Sequence, residues 1–235
     1  MREQVSNLFN DFVALLFPEC CLGCQELLAR GETTICTDCR IHLPYTNSHI
    51  PGDGGDFEWL RRFYNKVPVK HALTYLYFAR SGRVQQLLHE LKYRGHEEIG
   101  EVLGNWFGAD LKEHDYQQQF DLIIPVPLHR RKLQKRGYNQ SDSFARGLGQ
   151  ALNIPWQANA LQRLTDSATQ TKKSRLERWE NVEQIFKITD VSLIKNQRIL
   201  VVDDVMTTGA TLEACAVVLL AAGAQSVSVA TIAAA

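Results

Sequence analysis

Apolar residues fall at helical spacing over residues 4–17, where Val5, Leu8, Phe9, Phe12, Val13, Leu15, Leu16 and Phe17 predict a short packed helix that Pro18 ends. The periodicity then disappears. Cysteines, Gly23 and Gly31 dominate residues 20–39, and a Pro- and Gly-rich stretch over 44–55 marks the best boundary in the chain. Residues 70–79, KHALTYLYFA, combine aromatic and branched types as a strand does. From Ser81 the period changes to helical, with Val84, Leu87, Leu88 and Leu91 on one face and Gly95 as the stop. A second helix is predicted over 96–112, followed by a strand in DLIIPVP, a basic loop, a helix over 139–151 and a short strand near 155–160. A polar, basic stretch over 163–183 precedes RILVVDD, which reads as a buried strand; residues 210–222 read as a helix and SVSVATIA as a last strand. Strands that alternate with helices predict an α/β fold, a parallel sheet with helices on both faces. The pattern divides the chain into an N-terminal helix and cysteine module over 1–50, a linker over 51–69 and the α/β domain over 70–235.

Composition adds little to this picture, but charge placement and cysteine usage add more. At 235 residues with 45% hydrophobic and 22% charged residues and a net charge of zero, the chain is an ordinary globular protein, neither disordered nor a nucleic-acid coat. Acids outnumber Lys and Arg in the first 60 residues, so the excess of base lies in the larger part. No run is long and apolar enough to span a bilayer, and Glu3 and Asp11 interrupt the opening in a way no signal peptide does, so the cytoplasm is the expected compartment. Cytosolic thiols stay reduced, which makes disulfides an unsuitable account of six cysteines.

Four of those cysteines form a pattern. Cys21-Leu-Gly-Cys24 and Cys36-Thr-Asp-Cys39 are two C-x₂-C knuckles with eleven residues between them, and four thiolates so spaced fit one closed, structural Zn²⁺. Cys20 competes with Cys21 for one ligand position. Cys215, inside ATLEACAVVLL, reads as a small apolar helix residue. The histidines show no metal-ligand spacing.

The candidate binding chemistry sits in residues 199–211, ILVVDDVMTTGAT. Open α/β sheets bind ligands at the carboxyl ends of their strands, where Asp203 and Asp204 would emerge, and two carboxylates suit vicinal hydroxyls. Thr207, Thr208, Gly209, Ala210 and Thr211 would open the following helix with unpaired N–H groups, hydroxyls and a glycine that admits a phosphate monoester. A solvated strand end followed by an ordinary Thr cap is the plainer reading of the same residues. Arg130, Arg131, Lys132, Lys135 and Arg136 follow the strand of DLIIPVPLHRRKLQKRGYNQS; they suit a diphosphate, and equally a solvated turn. Lys92 and Arg94 in LKYRG end a helix, where cations also offset its dipole.

ILVVDDVMTTGAT resembles the 5-phosphoribosyl diphosphate (PRPP) signature of the type I phosphoribosyltransferases. With PVPLHRRKLQKRGYNQS, the TQT…R…N…F segment near 169–186 and the cysteine knuckles, nearly the whole chain is similar to the ComF family, of ComFC/GntX-like proteins. The resemblance implies a type I phosphoribosyltransferase-like sheet with a zinc-ribbon-like module. It implies that Asp203 and Asp204 hold the ribose hydroxyls, Thr207–Thr211 the 5'-phosphate, and Mg²⁺ the ribose and diphosphate oxygens. The diphosphate would lie near Val126, Pro127, Leu128, Arg130, Arg131, Lys92 and Arg94. The polar, basic segment 163–186 reads as a mobile hood over that site, and equally as an ordinary surface loop and helix. One departure is Thr207, where oxopurine-salvaging relatives carry Asp, which argues against hypoxanthine or guanine as acceptor. The family is linked to natural competence, the use of imported single-stranded DNA. A phosphoribosyl transfer to an unidentified acceptor, a PRPP sensor without turnover, and a single-stranded-DNA-binding part of the uptake machinery are the three functions it leaves, the last with Arg130–Arg136, Lys172, Lys173 and Arg175 on phosphates and Tyr138 on a base.

Overall fold

The computed structural model describes residues 18–50, 55–165 and 185–235. The helix expected over 4–17 and most of the expected hood lie outside them. Four strands make one parallel sheet: β1 (Val69–Tyr77), β2 (Leu122–Pro125), β5 (Arg198–Met206) and β6 (Ser226–Ala234), in the order β1-β6-β5-β2. Every pair is parallel. The short β3 (Leu161–Arg163) and β4 (Phe186–Ile188) form a separate antiparallel pair. The helices are α1 (Thr37–Ile41), α2 (Gly55–Leu60), α3 (Arg83–Tyr93), α4 (Glu98–Glu113), α5 (Arg130–Arg136), α6 (Gln140–Leu152) and α7 (Ala210–Ala221).

The sheet is buried on both faces, as its near-continuous apolar runs require. Along β5, Leu200 and Val202 join a core with α3, α4 and α6, whereas Ile199 and Val201 join a second core with α7 and the β3–β4 pair. This is the two-residue alternation of a strand applied to two apolar layers. Each large side chain so buried contributes about 1.5–3 kcal/mol. Both edges are covered, which removes the unpaired ladder that invites aggregation. The Tyr77 N–H bonds the Pro44 carbonyl and the Thr46 N–H bonds the Tyr75 carbonyl along β1, while the Ile123 N–H bonds the Pro155 carbonyl beside β2.

Several local expectations change. The strand expected near 155–160 is a single bridge at Trp156, with the strand itself at Leu161–Arg163. The basic stretch expected as a loop is α5, capped by the His129 ring and ended by Gly137 at φ +88°. Seven residues with no buried member, all of straight-chain types that favour helices, account for that outcome. Within the stretch read as a linker, Gly55–Leu60 is helical, and Trp59, Phe63 and Val67 are buried in the second core. This stretch therefore packs as well as connects. Likewise Cys21, Ile35, Cys36, Cys39 and Leu43 of the cysteine module share the first core with α3 and α4.

The helix that reaches the site, α6, is set by backbone contact with α4. A Cβ on Gly104 would stand 2.5 Å from the Phe144 carbonyl oxygen and 2.9 Å from the Leu148 nitrogen, and one on Gly147 would overlap the Glu101 carbonyl. Only glycine permits that approach.

Candidate functional site

At the carboxyl end of β5 the two acids stand where the sequence places them, although the strand continues past them to Met206. Asp204 is buried and Asp203 is partly buried. Both bonds found on Asp203 fall on Oδ1, which accepts from Ser141 Oγ at 3.0 Å and from the Asp204 backbone N–H at 2.9 Å. Asp204 Oδ2 lacks a hydrogen bond in the strict geometric sense, but the Lys92 ammonium lies 3.1 Å away, so its partner is an ion. Burial, and then the neighbouring Asp204 carboxylate, push the Asp203 pKa up to about 7.

Three elements converge on this pair. Lys92 comes from the last turn of α3, and Ser141 from the first turn of α6. The loop after β2 is clamped beside them: the Val126 N–H bonds the Val202 carbonyl at 2.8 Å, and the Val126 carbonyl accepts from Asn139 Nδ2 at 3.1 Å. Asn139 caps α6 through its Oδ1 and also bonds Asp142 at 2.6 Å. Burial moves the Asp142 pKa up to about 6.

Beyond the acids, Thr207 and Thr208 are exposed, Gly209 is buried, and Ala210 and Thr211 open α7. Gly209 is the N-cap residue at φ +79°, a left-handed conformation that a side chain would strain. The first N–H groups of α7 thus face the same end of the sheet as the acids.

The remaining expected residues separate into two groups. Val126 and Pro127 are buried in the clamped loop and Leu128 is partly buried, whereas Arg130, Arg131 and Arg94 are exposed. Tyr138 is half-buried and its hydroxyl bonds the Leu91 carbonyl, so the ring belongs to the packing of α3. The exposed ring nearby is Tyr93, with the Arg136 guanidinium 5.5 Å from its centre. Ser141 and Asn139 were in plain view within YNQS, yet no spacing rule ties Ser141 to an acid 62 residues away. The Asn139-Gln-Ser-Asp142 cap pattern was the available signal.

The second centre is the cysteine module. The sulfur atoms of Cys21, Cys24, Cys36 and Cys39 all lie within 4.8 Å of one another, with Cys21–Cys39 and Cys24–Cys36 each at 3.7 Å. A tetrahedron with metal–sulfur bonds of ~2.3 Å has an edge of ~3.8 Å, so the donor set fits a metal ion such as zinc. Cys20 is outside the cluster, its sulfur 3.9 Å from the Pro18 carbonyl, so it is Cys21 whose sulfur joins the other three. Burial opposes a Cys21 thiolate, but N–H groups of Cys36, Cys24 and Gly23 outweigh it and bring its pKa down to about 7. Burial and the neighbouring thiols push Cys39 up. Four thiolates this close need a cation. Cys215 is a buried residue of α7, as expected.

The phosphoribosyl transferase domain family matches residues 142–235. The DNA utilization protein YhgH of Shigella flexneri is 30% identical over 230 residues, spanning 92% of this chain and 96% of the relative. Competence protein F of Haemophilus influenzae is 27% identical, spanning 89% and 87%, and competence protein ComFC of Bacillus subtilis is 28% identical, spanning 86% and 84%. A parallel sheet flanked by helices, with the family match over residues 142–235 that include the acid pair and the threonine-rich helix opening, makes this a phosphoribosyltransferase-type protein. Within that class the chain belongs to the ComF family, carrying its cysteine module on the same core.

The strained carboxylate has a measurable consequence. Asp203 titrates higher in the folded chain, about 7, than an ordinary Asp near ~3.9, so the folded state holds its proton more tightly. The associated stability is complete below pH ~4 and is lost as pH rises through ~7. Asp203→Asn is expected to flatten that dependence and raise Tm at pH 8 by roughly 3–8 °C, as read by thermal denaturation.

Proposed function

We propose that the chain binds PRPP at the carboxyl end of β5, as a phosphoribosyltransferase-type component of DNA use. The observation that carries the reading is the joint placement of Asp203 and Asp204 with the Gly209 turn on one strand-to-helix connection. Asp203 keeps one carboxylate oxygen unassigned among the described residues, a suitable acceptor for a ribose hydroxyl. The Thr207–Thr211 turn takes the 5'-phosphate on hydroxyls and backbone N–H groups. Val126, Pro127 and Leu128 border the diphosphate, with the partly buried Lys92, held on Asp204, beside them; Arg130, Arg131 and Arg94 approach from the rim.

Two hard carboxylate donors fit a Mg²⁺ that arrives on the ligand's diphosphate, where it would neutralise charge on the leaving group. If turnover occurs, a nitrogen nucleophile forms a bond to C1 as the C1–O bond breaks and its electron pair leaves with the diphosphate. The chain's contribution is orientation and charge stabilisation. Release of diphosphate across a panel of amines and bases separates this from a sensor that only binds. In the cysteine module the ion is Zn²⁺, closed and structural. Free cysteines serving as ligands suit the reducing cytoplasm.

A second ligand is favoured by one surface. The helix α5 exposes Arg130, Arg131 and Lys135, and its Arg136 lies 5.5 Å from the centre of the exposed Tyr93 ring, a combination of cations and an aromatic face that suits single-stranded DNA. The names of the relatives, DNA utilization and competence proteins, agree with such a partner.

Replacing both acids in Asp203→Ala/Asp204→Ala is expected to abolish PRPP binding by calorimetry while circular dichroism stays native; unchanged affinity overturns the site. Elemental analysis should find about one zinc per chain, lost in Cys36→Ser/Cys39→Ser. Anisotropy titrations with single-stranded DNA should show an affinity that falls with salt, the logarithmic slope shrinking by about 0.7 for each of Arg130, Arg131 and Lys135 neutralised. A slope that those changes leave intact removes α5 from the interface.

A further inference from the structure

The opening of α6 carries two buried polar side chains that do more than a helix start requires. An N-cap needs one acceptor, and Asn139 supplies it through Oδ1, which accepts the Ser141 N–H at 3.4 Å. Serine or aspartate would cap as well. What an amide adds is a pair of N–H donors, and both are in use: Nδ2 donates to the Val126 carbonyl at 3.1 Å and to Asp142 Oδ1 at 2.6 Å. Ser141 is fully buried at the second position of the helix, where alanine would be the better helix former. Its hydroxyl donates to Asp203.

These bonds lead to opposite halves of the pocket. A carboxylate at a strand end can turn about its terminal bond, but Ser141 Oγ and the Asp204 N–H both hold Oδ1 of Asp203, at 3.0 and 2.9 Å. Its other oxygen is thereby the one offered to a ribose hydroxyl. Across the pocket, the loop after β2 is tied twice at one residue. The Val126 N–H bonds the Val202 carbonyl of β5, directly before the acids, and the Val126 carbonyl accepts from Asn139. One tie joins the loop to the strand that bears the acids, the other to the helix that orients Asp203. That helix has no room to shift toward α4, because a Cβ on Gly100 would stand 2.1 Å from Ser143 Oγ, beside the two residues in question.

We propose that Asn139 and Ser141 are positioning residues that divide the pocket between them: Ser141 orients Asp203 for the ribose hydroxyls, and Asn139 fixes the loop that borders the diphosphate. The inference rests on the phosphoribosyl reading above and adds to it a common gauge, one rigid helix start that sets the spacing between the two ends of the ligand. Neither residue touches the ligand. Each acts through the group it holds.

The test is calorimetry on the full chain in buffer without added magnesium, with ribose 5-phosphate and inorganic diphosphate as probes of the two ends; the readout is the ratio of their affinities. S141A removes a hydrogen bond to a carboxylate and is expected to weaken ribose 5-phosphate by roughly tenfold or more, and diphosphate far less. N139S keeps a capping oxygen but loses both donors, and is expected to weaken diphosphate by roughly three- to tenfold, and ribose 5-phosphate far less. The ratio thus moves in opposite directions in the two variants. A purely structural role would weaken both probes alike, so a ratio that stays at the parent's value in either variant, or shifts the same way in both, overturns the inference. Should either variant not fold, S141C and N139T, which keep side-chain volume or a capping oxygen, are read by the same ratio. A parent chain that binds ribose 5-phosphate but not diphosphate also overturns the inference. One that fails to bind ribose 5-phosphate instead rejects the phosphoribosyl reading itself.

Discussion

Two carboxylates adjacent in sequence at the end of a buried strand repel each other and lose hydration, and the rest of the site is arranged to tolerate them. The hydroxyl of Ser141 and the Asp204 N–H serve Asp203, and the Lys92 ammonium serves Asp204. Each compensating group has its own support. Ser141 depends on the Asn139 cap and on the close contact of α6 with α4, while Lys92 depends on where α3 ends. A pair this strained persists because several packed elements hold it, and strain of that kind is characteristic of binding sites.

The helix α3 joins the two centres of the molecule. Its N-terminal half packs on the cysteine module, where Leu87 lies against Gly23, and Arg83 meets Asp38 at 2.8 Å. Its C-terminal turn places Lys92 on Asp204. The exposed Arg83–Asp38 pair contributes little by itself, so the apolar contact around Cys21, Cys39 and Leu87 carries the attachment. A module of this size has too little apolar interior to fold alone, and sharing the main core compensates for that.

Much was legible from local pattern. The alternation of strands with amphipathic helices foretold the parallel sheet, because both periodicities follow from backbone geometry and need no knowledge of partners. The two C-x₂-C knuckles foretold the cluster, since knuckle spacing is a local property. The choice between Cys20 and Cys21 was not local: the bridge between Cys20 and Leu27 turns one side chain away and the other inward. The role of the 51–69 stretch was also hidden, for a Pro- and Gly-rich run reads as a connection whether or not its few aromatics find a core.

What the sequence by itself determined is therefore the alternation of the main strands and helices, the acid pair, the threonine-rich turn and the cysteine donor set, all of which are fixed within about a dozen consecutive residues or by a short spacing. Only the tertiary structure decided that Lys92 and Ser141 meet those acids and that Asn139 clamps the loop after β2. Such pairings join residues far apart in the chain. They depend on the packing of whole helices against the sheet, and no local propensity encodes that distance.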